Sequence, residues 1–148
     1  MNKTYFLSEM KNEDADAVAM IEQECFSLPW SKEALLASMA QSYSYFVVAK
    51  TEDDIAGYGA IYVVAGEGEI INIAVKGEYR RCGIGEAIVK ELLCEGRVRK
   101  AEKVFLEVRE SNAAAIALYE RCGFEKQGIR KNFYEKPTEN AVIMWKEA

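Results

Sequence analysis

Two arginines and two glycines, in Arg80-Arg81-Cys82-Gly83-Ile84-Gly85, stand immediately ahead of a helical pattern. Glycines let a ligand approach the backbone closely. The first-turn N–H groups of a helix have no intrahelical acceptor, and the helix dipole favours an anion there. With Arg80 and Arg81 adding positive charge, the stretch suits a diphosphate. By local physics it is equally a glycine turn before a packed helix, with two solvated arginines. Two common phosphate motifs are excluded. The pattern G-x-G-x-x-G fails at Ile88, where its third glycine should stand, and the Walker pattern needs Gly-Lys-Ser/Thr where Gly85 is followed by Glu86.

Acid–base chemistry has few carriers here, because the chain has no histidine. That removes a Ser-His-Asp or Cys-His hydrolase and the commonest transition-metal ligand. Carboxylate, tyrosine, lysine, cysteine, water or backbone must serve instead. Glu107 lies in the strand-like run Lys103 to Arg109, where alternation puts Val104, Leu106 and Val108 on one face and Phe105, Glu107 and Arg109 on the other. A carboxylate among apolar neighbours gains basicity by desolvation; alternation alone slightly favours an exposed strand glutamate on a solvated face. Tyr119 is protonated at neutral pH, with an ordinary pKa of about 10, and can donate a proton. Its helical neighbours Ala115, Ile116 and Leu118 by themselves favour a core tyrosine with a satisfied hydroxyl. Ser111 is expected to cap the same helix, and Asn112 at its start suits a share in that role.

The elements that must position these groups follow from periodicity. A short strand over Thr4 to Met10 precedes a helix capped by Asn12 and ending near Phe26. Pro29 breaks the pattern, and Ser31 caps the next helix. Strands follow at Ser44–Lys50, Ile55–Ala65 and Glu69–Val75, the last two flanking a hairpin signal at Gly66-Glu67-Gly68. After the glycine loop a helix carries Ile84, Ala87, Ile88, Leu92 and Leu93. A strand at Lys103–Arg109, a helix with its stop at Gly123, and two further strands close the chain. The order β-α-α-β-β-β-α-β-α-β-β predicts an α+β domain with a mixed sheet, not a doubly wound alternation.

The 148 residues suit one domain, 1–148, with one core. A net charge of −5 argues against nucleic acid as a direct partner. The start lacks the uninterrupted apolar segment of a signal peptide, and no apolar run approaches membrane-spanning length. A cytoplasmic protein is expected. Cys25, Cys82, Cys94 and Cys122 are far apart with no CxxC, so they read as free thiols and no metal site is expected.

The segment Ile71 to Leu93 resembles the acetyl-coenzyme-A-binding motif of the GNAT N-acetyltransferases, Gln/Arg-x-x-Gly-x-Gly/Ala, with Arg80, Gly83 and Gly85 at its three positions. "LEVRESNAAAIALYERCGF" is similar to the segment that follows the cofactor loop in that family, most of all in its ribosomal-protein-alanine (RimI) type. "FSLPW", "RKNFY" and "NAVIM" also look like that type, so the resemblance runs over nearly the whole chain. It implies the GNAT fold, a twisted, mostly antiparallel sheet flanked by about four helices.

The resemblance also implies roles. Backbone amides of Arg81, Cys82, Gly83, Ile84, Gly85 and Glu86 would hold the pyrophosphate of acetyl-coenzyme A. Ile73, Ala74 and Val75 would lie along the pantetheine arm, with the Val75 amide polarising the thioester carbonyl and Asn112 bonding the arm. Glu107 would be the base and Tyr119 the acid, with direct transfer in a ternary complex and no acetyl-Cys82 intermediate. Trp30 and Tyr134 are candidates for the peptide side, or core aromatics. Phe133 departs from the type, which has a tyrosine there. The implied reaction is acetylation of a protein N-terminus, the alanine of a small-subunit ribosomal protein, by a monomer or weak dimer. Another amine acceptor (lysine, a polyamine or a small molecule) and a non-catalytic coenzyme-A-binding module are the alternatives.

Overall fold

The computed structural model describes residues 4–148. The domain expected over 1–148 includes residues 1–3, which lie outside the described residues. The strands are β1 (Phe6–Glu9), β2 (Ser44–Lys50), β3 (Ile55–Val64), β4 (Glu67–Val75), β5 (Lys103–Arg109), β6 (Glu125–Tyr134) and β7 (Glu139–Glu147). The helices are α1 (Ala15–Cys25), α2 (Lys32–Met39), α3 (Ile84–Val98) and α4 (Ala113–Arg121). The order is the one that periodicity predicts, and β2 and β5 have the expected bounds.

The seven strands form one sheet in the order β1-β2-β3-β4-β5-β7-β6. Every pair is antiparallel except β4 with β5. A parallel pair needs a crossover, and α3 supplies it. The final hairpin enters with β7 beside β5, so β6 becomes the outer edge.

Helices cover both faces. Val47 and Ala49 join Ile84, Ile88, Leu92, Val104 and Leu106 in a core under α3 and α4. Phe46, Val48, Tyr58 and Ala60 join Val18, Ile21 and Leu35 under α1 and α2. Strands covered on both faces read as continuous apolar runs, which is why β2 and β3 are buried almost throughout. In contrast β5 alternates: Val104, Leu106 and Val108 are buried, and Phe105, Glu107 and Arg109 are half-buried. The face of β5 opposite α3 and α4 is therefore left without a helix.

Local details correct three expectations. The first helix is entered through a 3-10 turn at Asn12–Asp14, where Asp14 Oδ2 accepts from Lys11 N at 2.9 Å, so Asn12 is not its cap. The hairpin turns at Ala65 and Gly66, with φ of 51° and 83°, because a two-residue turn of this hand needs positive φ at both centres. Glu67 and Gly68 already belong to β4. Asn112, not Ser111, caps α4, its Oδ1 accepting from Ala115 N at 3.1 Å. Ser31 caps α2 as expected, accepting from Ala34 N at 3.1 Å. At the other end of α4, Phe124 N donates to Tyr119 O and Gly123 N to Glu120 O, both at 3.0 Å, with Gly123 at φ 98°. This left-handed stop after the helix is the expected one.

Candidate active site

The sheet opens between β4 and β5. They pair only where Glu67, Gly68 and Glu69 face Lys103, Val104 and Phe105. Ala60 faces Asn72 and Ile61 faces Ile70, so Ile71 is an extra residue in β4. A bulge of this kind bends and twists its strand. Beyond it β4 follows β3, β5 follows β7, and the two part. The cleft between them has a volume of about 530 Å³, within the range of small-molecule sites.

The parting leaves a free backbone edge. Lys76 N donates to Ala56 O at 2.8 Å, which makes Tyr58 and Ala74 the hydrogen-bonded pair and Gly57 and Val75 the non-bonded one. Ile73 and Val75 therefore turn their N–H and C=O groups away from β3; Val75 O accepts from Cys25 Sγ at 3.6 Å and from Arg80, and the edge at Ile73 faces the gap. Ala74 points its side chain into the core under α1 and α2.

Of the residues singled out in the sequence, Trp30, Ile73, Glu107, Asn112, Tyr119 and Tyr134 all line this one cleft. The side chain of Glu107 is 13% exposed, with Oε2 buried 3.2 Å from Arg130 Nε in an ion pair without an aligned hydrogen bond. Its surroundings are thus not apolar alone. Tyr119 is 8% exposed, its ring edge-on to Phe124 at 5.9 Å. Burial, then the neighbouring Tyr134 and Cys122, push its hydroxyl well above the ordinary tyrosine value, so it stays a proton donor. Asn112 uses Oδ1 in its cap, and its other amide atom, Nδ2, remains a donor at the cleft.

Tyr134 reaches the cleft because β6 loses register with β7 between Arg130 and Tyr134. Burial, then the charge of Glu107, push its hydroxyl up to about 12. Phe133 stands edge-on to it at 5.0 Å and is itself exposed at the cleft mouth.

The glycine loop lies at the end of β4. Arg81 and Gly83 are left-handed, with φ of 63° and 81°. Turns of this kind gather successive amides on one side. A Cβ on Gly83 would meet nothing within 4 Å, so its glycine is required by backbone conformation and not by crowding. Gly85 serves packing instead: a Cβ there would come within 3.2 Å of Leu118 Cδ2. Arg80 is exposed but folds back on the strand end. Its Nε donates to Val75 O at 3.1 Å and its Nη2 to Cys25 Sγ at 3.5 Å, tying the loop to the strand end. Cys82 Sγ donates to Arg80 O at 3.6 Å, inside the loop. The Glu86 side chain is turned to Lys90 and Arg121.

Several residues of the cleft escaped the sequence reading. Glu69 faces it from β4; burial, then the Glu107 charge, raise its carboxyl above the usual range. Arg109 holds the β6–β7 connection. Glu22 is fully buried, and Asn72 donates to it. Glu22 left one signal, being a charged residue on the stripe of Ala15, Val18 and Ile21. Arg130 left none, since a one-residue slip of an exposed edge strand decides where it points.

The family model described as the acetyltransferase (GNAT) family matches residues 15–124. The [ribosomal protein bS18]-alanine N-acetyltransferase of Escherichia coli (strain K12) is 37% identical over 142 residues, covering 93% of this chain and 94% of that protein. The crystal structure of the E. coli ribosomal-protein-S18-alanine N-acetyltransferase superposes with a TM-score of 0.88 at 35% identity, covering 97% and 94% of the two chains. The PaiA N-acetyltransferase of Thermoplasma acidophilum, solved in complex with coenzyme A, shares the fold at a TM-score of 0.83 and 18% identity, covering 98% and 99%. With its splayed mixed sheet, its glycine loop ahead of α3 and these matches over nearly its full length, the chain belongs to the GNAT acetyltransferase family.

Proposed function

We propose that this enzyme transfers the acetyl group of acetyl-coenzyme A to the N-terminal α-amino group of a protein, the alanine of a small-subunit ribosomal protein. One observation carries the reading: the gap between β4 and β5 brings Glu107 and Tyr119 to one cleft with the backbone edge of β4 at Ile73. The relatives named as ribosomal protein bS18-alanine N-acetyltransferases support the acceptor.

The chain fits the donor. First-turn amides of α3 and the left-handed turns at Arg81 and Gly83 suit a diphosphate, and the open space over Gly83 leaves room for it. The N–H and C=O of Ile73 and the N–H of Val75 can pair with groups of an extended pantetheine arm, as a further strand would, while Val75 O is held by Arg80. Asn112 Nδ2 can donate to the same arm. The Val75 N–H is assigned to the thioester oxygen, where a fixed donor counts most. Ala74 sets the spacing between these two residues.

An α-amino group has a pKa of about 7.7–8.0, so most of it arrives protonated at neutral pH. Glu107 takes its proton, directly or through water, and Tyr119 gives one to the departing thiolate. Trp30 and Tyr134 border the acceptor side. The net charge of −5 favours approach of a basic ribosomal-protein tail. Residues 1–148 act as one acetyltransferase domain in the cytoplasm, as a monomer or weak dimer. Among the described residues no helix is long and apolar enough to cross a membrane.

Mass spectrometry of a mixed N-terminal peptide library, incubated with enzyme and acetyl-coenzyme A, tests this. Acetylation of alanine-led peptides is expected. Turnover of lysine, polyamines or small amines without any peptide would overturn the acceptor, and coenzyme-A binding without turnover would overturn the mechanism.

A further inference from the structure

Glu22 is a fully buried carboxylate on α1, and no lysine or arginine among the described residues pairs with it. A charge in such a place is retained only where hydrogen bonds replace water. Three donors do so, and they come from three different elements. Oε1 accepts from Trp30 N at 2.8 Å, in the loop between α1 and α2. Oε2 accepts from Tyr58 Oη on β3 at 2.5 Å and from Asn72 Nδ2 on β4 at 2.8 Å. The burial of Glu22 therefore joins one loop to two strands.

That loop is the wall of the cleft opposite Phe133 and Tyr134. It presents Leu28, 51% exposed, and Trp30 to the opening. Its other attachments are few. Phe26 N still closes α1 on Glu22 O at 2.9 Å, and Ser31 belongs to the cap of α2. Pro29 has no N–H to give. Between these points, the bond from Trp30 N to Glu22 is the one hydrogen bond of residues 27–30 among the described residues. Asn72, at the other end of the network, stands next to Ile73 at the start of the free edge of β4.

We infer that Glu22 is a positioning residue for the acceptor: it holds the α1–α2 loop at a set distance from β4, so that Leu28 and Trp30 meet the incoming peptide while the donor side is built without it. This rests on the acetyl-transfer reading of the cleft. It assigns Glu22 a geometric task and no proton transfer.

The chemistry of the network separates those two roles. A glutamine can keep its oxygen on Trp30 N–H and turn its amide to Tyr58 Oη. Asn72 can flip its own amide to present Oδ1 to the same group. The neutral isostere thus preserves the tie. Aspartate keeps the charge but is one methylene short of spanning from α1 to both the loop and the strands.

Steady-state kinetics on an alanine-led peptide, with acetyl-coenzyme A affinity measured separately, provides the test. Glu22→Ala and Glu22→Asp are expected to raise peptide KM about tenfold or more, with acetyl-coenzyme A affinity unchanged, and Glu22→Gln to stay within about threefold of the parent. Hydrogen exchange at the Trp30 amide should accelerate in the first two and not in the third. A Glu22→Gln enzyme as impaired as Glu22→Ala, with Glu22→Asp nearest the parent, would make Glu22 an acid–base group and overturn the inference. Should the Ala and Asp variants not fold, Trp30→Pro against Trp30→Ala decides. Both lose the indole and only proline loses the N–H, so Trp30→Pro should have the higher peptide KM by about fivefold. Equal values would sink the proposal. Peptide acetylation by the unaltered enzyme is the control, and its failure would count against the acceptor reading instead.

Discussion

The guanidinium of Arg109 lies over the ring of Tyr134, 4.6 Å from its centroid. The same group donates to Glu135 O at 2.8 Å and Pro137 O at 3.0 Å and pairs with Glu139 at 3.2 Å. Glu139 in turn accepts from Ser111 N at 2.6 Å. One β5 side chain thus fixes the β6–β7 connection against the start of α4 and sets Tyr134 in the cleft. Arg109→Ala should raise peptide KM about fivefold or more and leave acetyl-coenzyme A affinity alone. Thermal denaturation should show a lower Tm, since the tie of the β6–β7 connection to β5 is lost. Arg109→Lys should recover little, since an ammonium lacks the planar fork.

Tyr119→Phe should lower kcat by about 10²–10⁴-fold with acetyl-coenzyme A affinity unchanged. Its pH profile adds a sharper check. Burial raises the Tyr119 pKa, so the donor form persists above the ordinary value of about 10. The rate should rise as the α-amino group deprotonates, through about pH 8, and then hold level to about pH 10. A falling limb centred near pH 9 in the parent enzyme, absent in Tyr119→Phe, would assign Tyr119 a lowered pKa and contradict this.

Glu107→Gln should cut kcat/KM for the peptide by about 10²-fold or more, while coenzyme-A binding measured by calorimetry stays within about twofold. Loss of coenzyme-A affinity without loss of turnover would place Glu107 on the donor side and remove it as the base.

At Gly83 the φ of 81° strains any residue with a Cβ, although nothing crowds the position. Gly83→Ala should cost about 1–2 kcal/mol of stability. It should also raise the KM for acetyl-coenzyme A more than the KM for the peptide, as a test of the loop as a donor site.

Burial raises the carboxyl pKa of Glu22 against the pull of its Trp30 and Tyr58 bonds. A carboxyl with a raised folded pKa binds its proton more tightly in the folded chain, so its contribution to stability is fully present below the unfolded value of about 4.3 and is lost as pH rises through the folded value. Glu22→Gln has no such loss. Its Tm relative to the parent should therefore improve as pH rises from 4 to 8, followed by differential scanning calorimetry. A relative Tm that falls over that range would show the carboxylate to be net stabilising when charged.

Local pattern alone yielded the order of eleven strands and helices, the limits of β2 and β5, the cap at Ser31 and the stop after α4. These depend on period, propensity and capping chemistry, which neighbouring residues carry among themselves. The glycine loop was legible too, because residue type and spacing mark it; Glu107, Tyr119 and Asn112 read locally as a strand-face, a core and a capping residue, and the family resemblance singled them out. Tertiary structure decided what these residues share. The bulge at Ile71 and the short parallel pairing at Glu67–Glu69 open the sheet, and no local pattern specifies where two strands stop pairing. Layer coverage turns the polar face of β5 into a cleft wall instead of a solvated surface. Arg80 looked like a free cation until the fold supplied Val75 O as its acceptor. Glu22 was marked only as a charge on an apolar helix stripe until Trp30, Tyr58 and Asn72, far apart in the chain, converged on it. A buried polar group is identified by the partners that replace its water, and those partners come together only when the chain has folded.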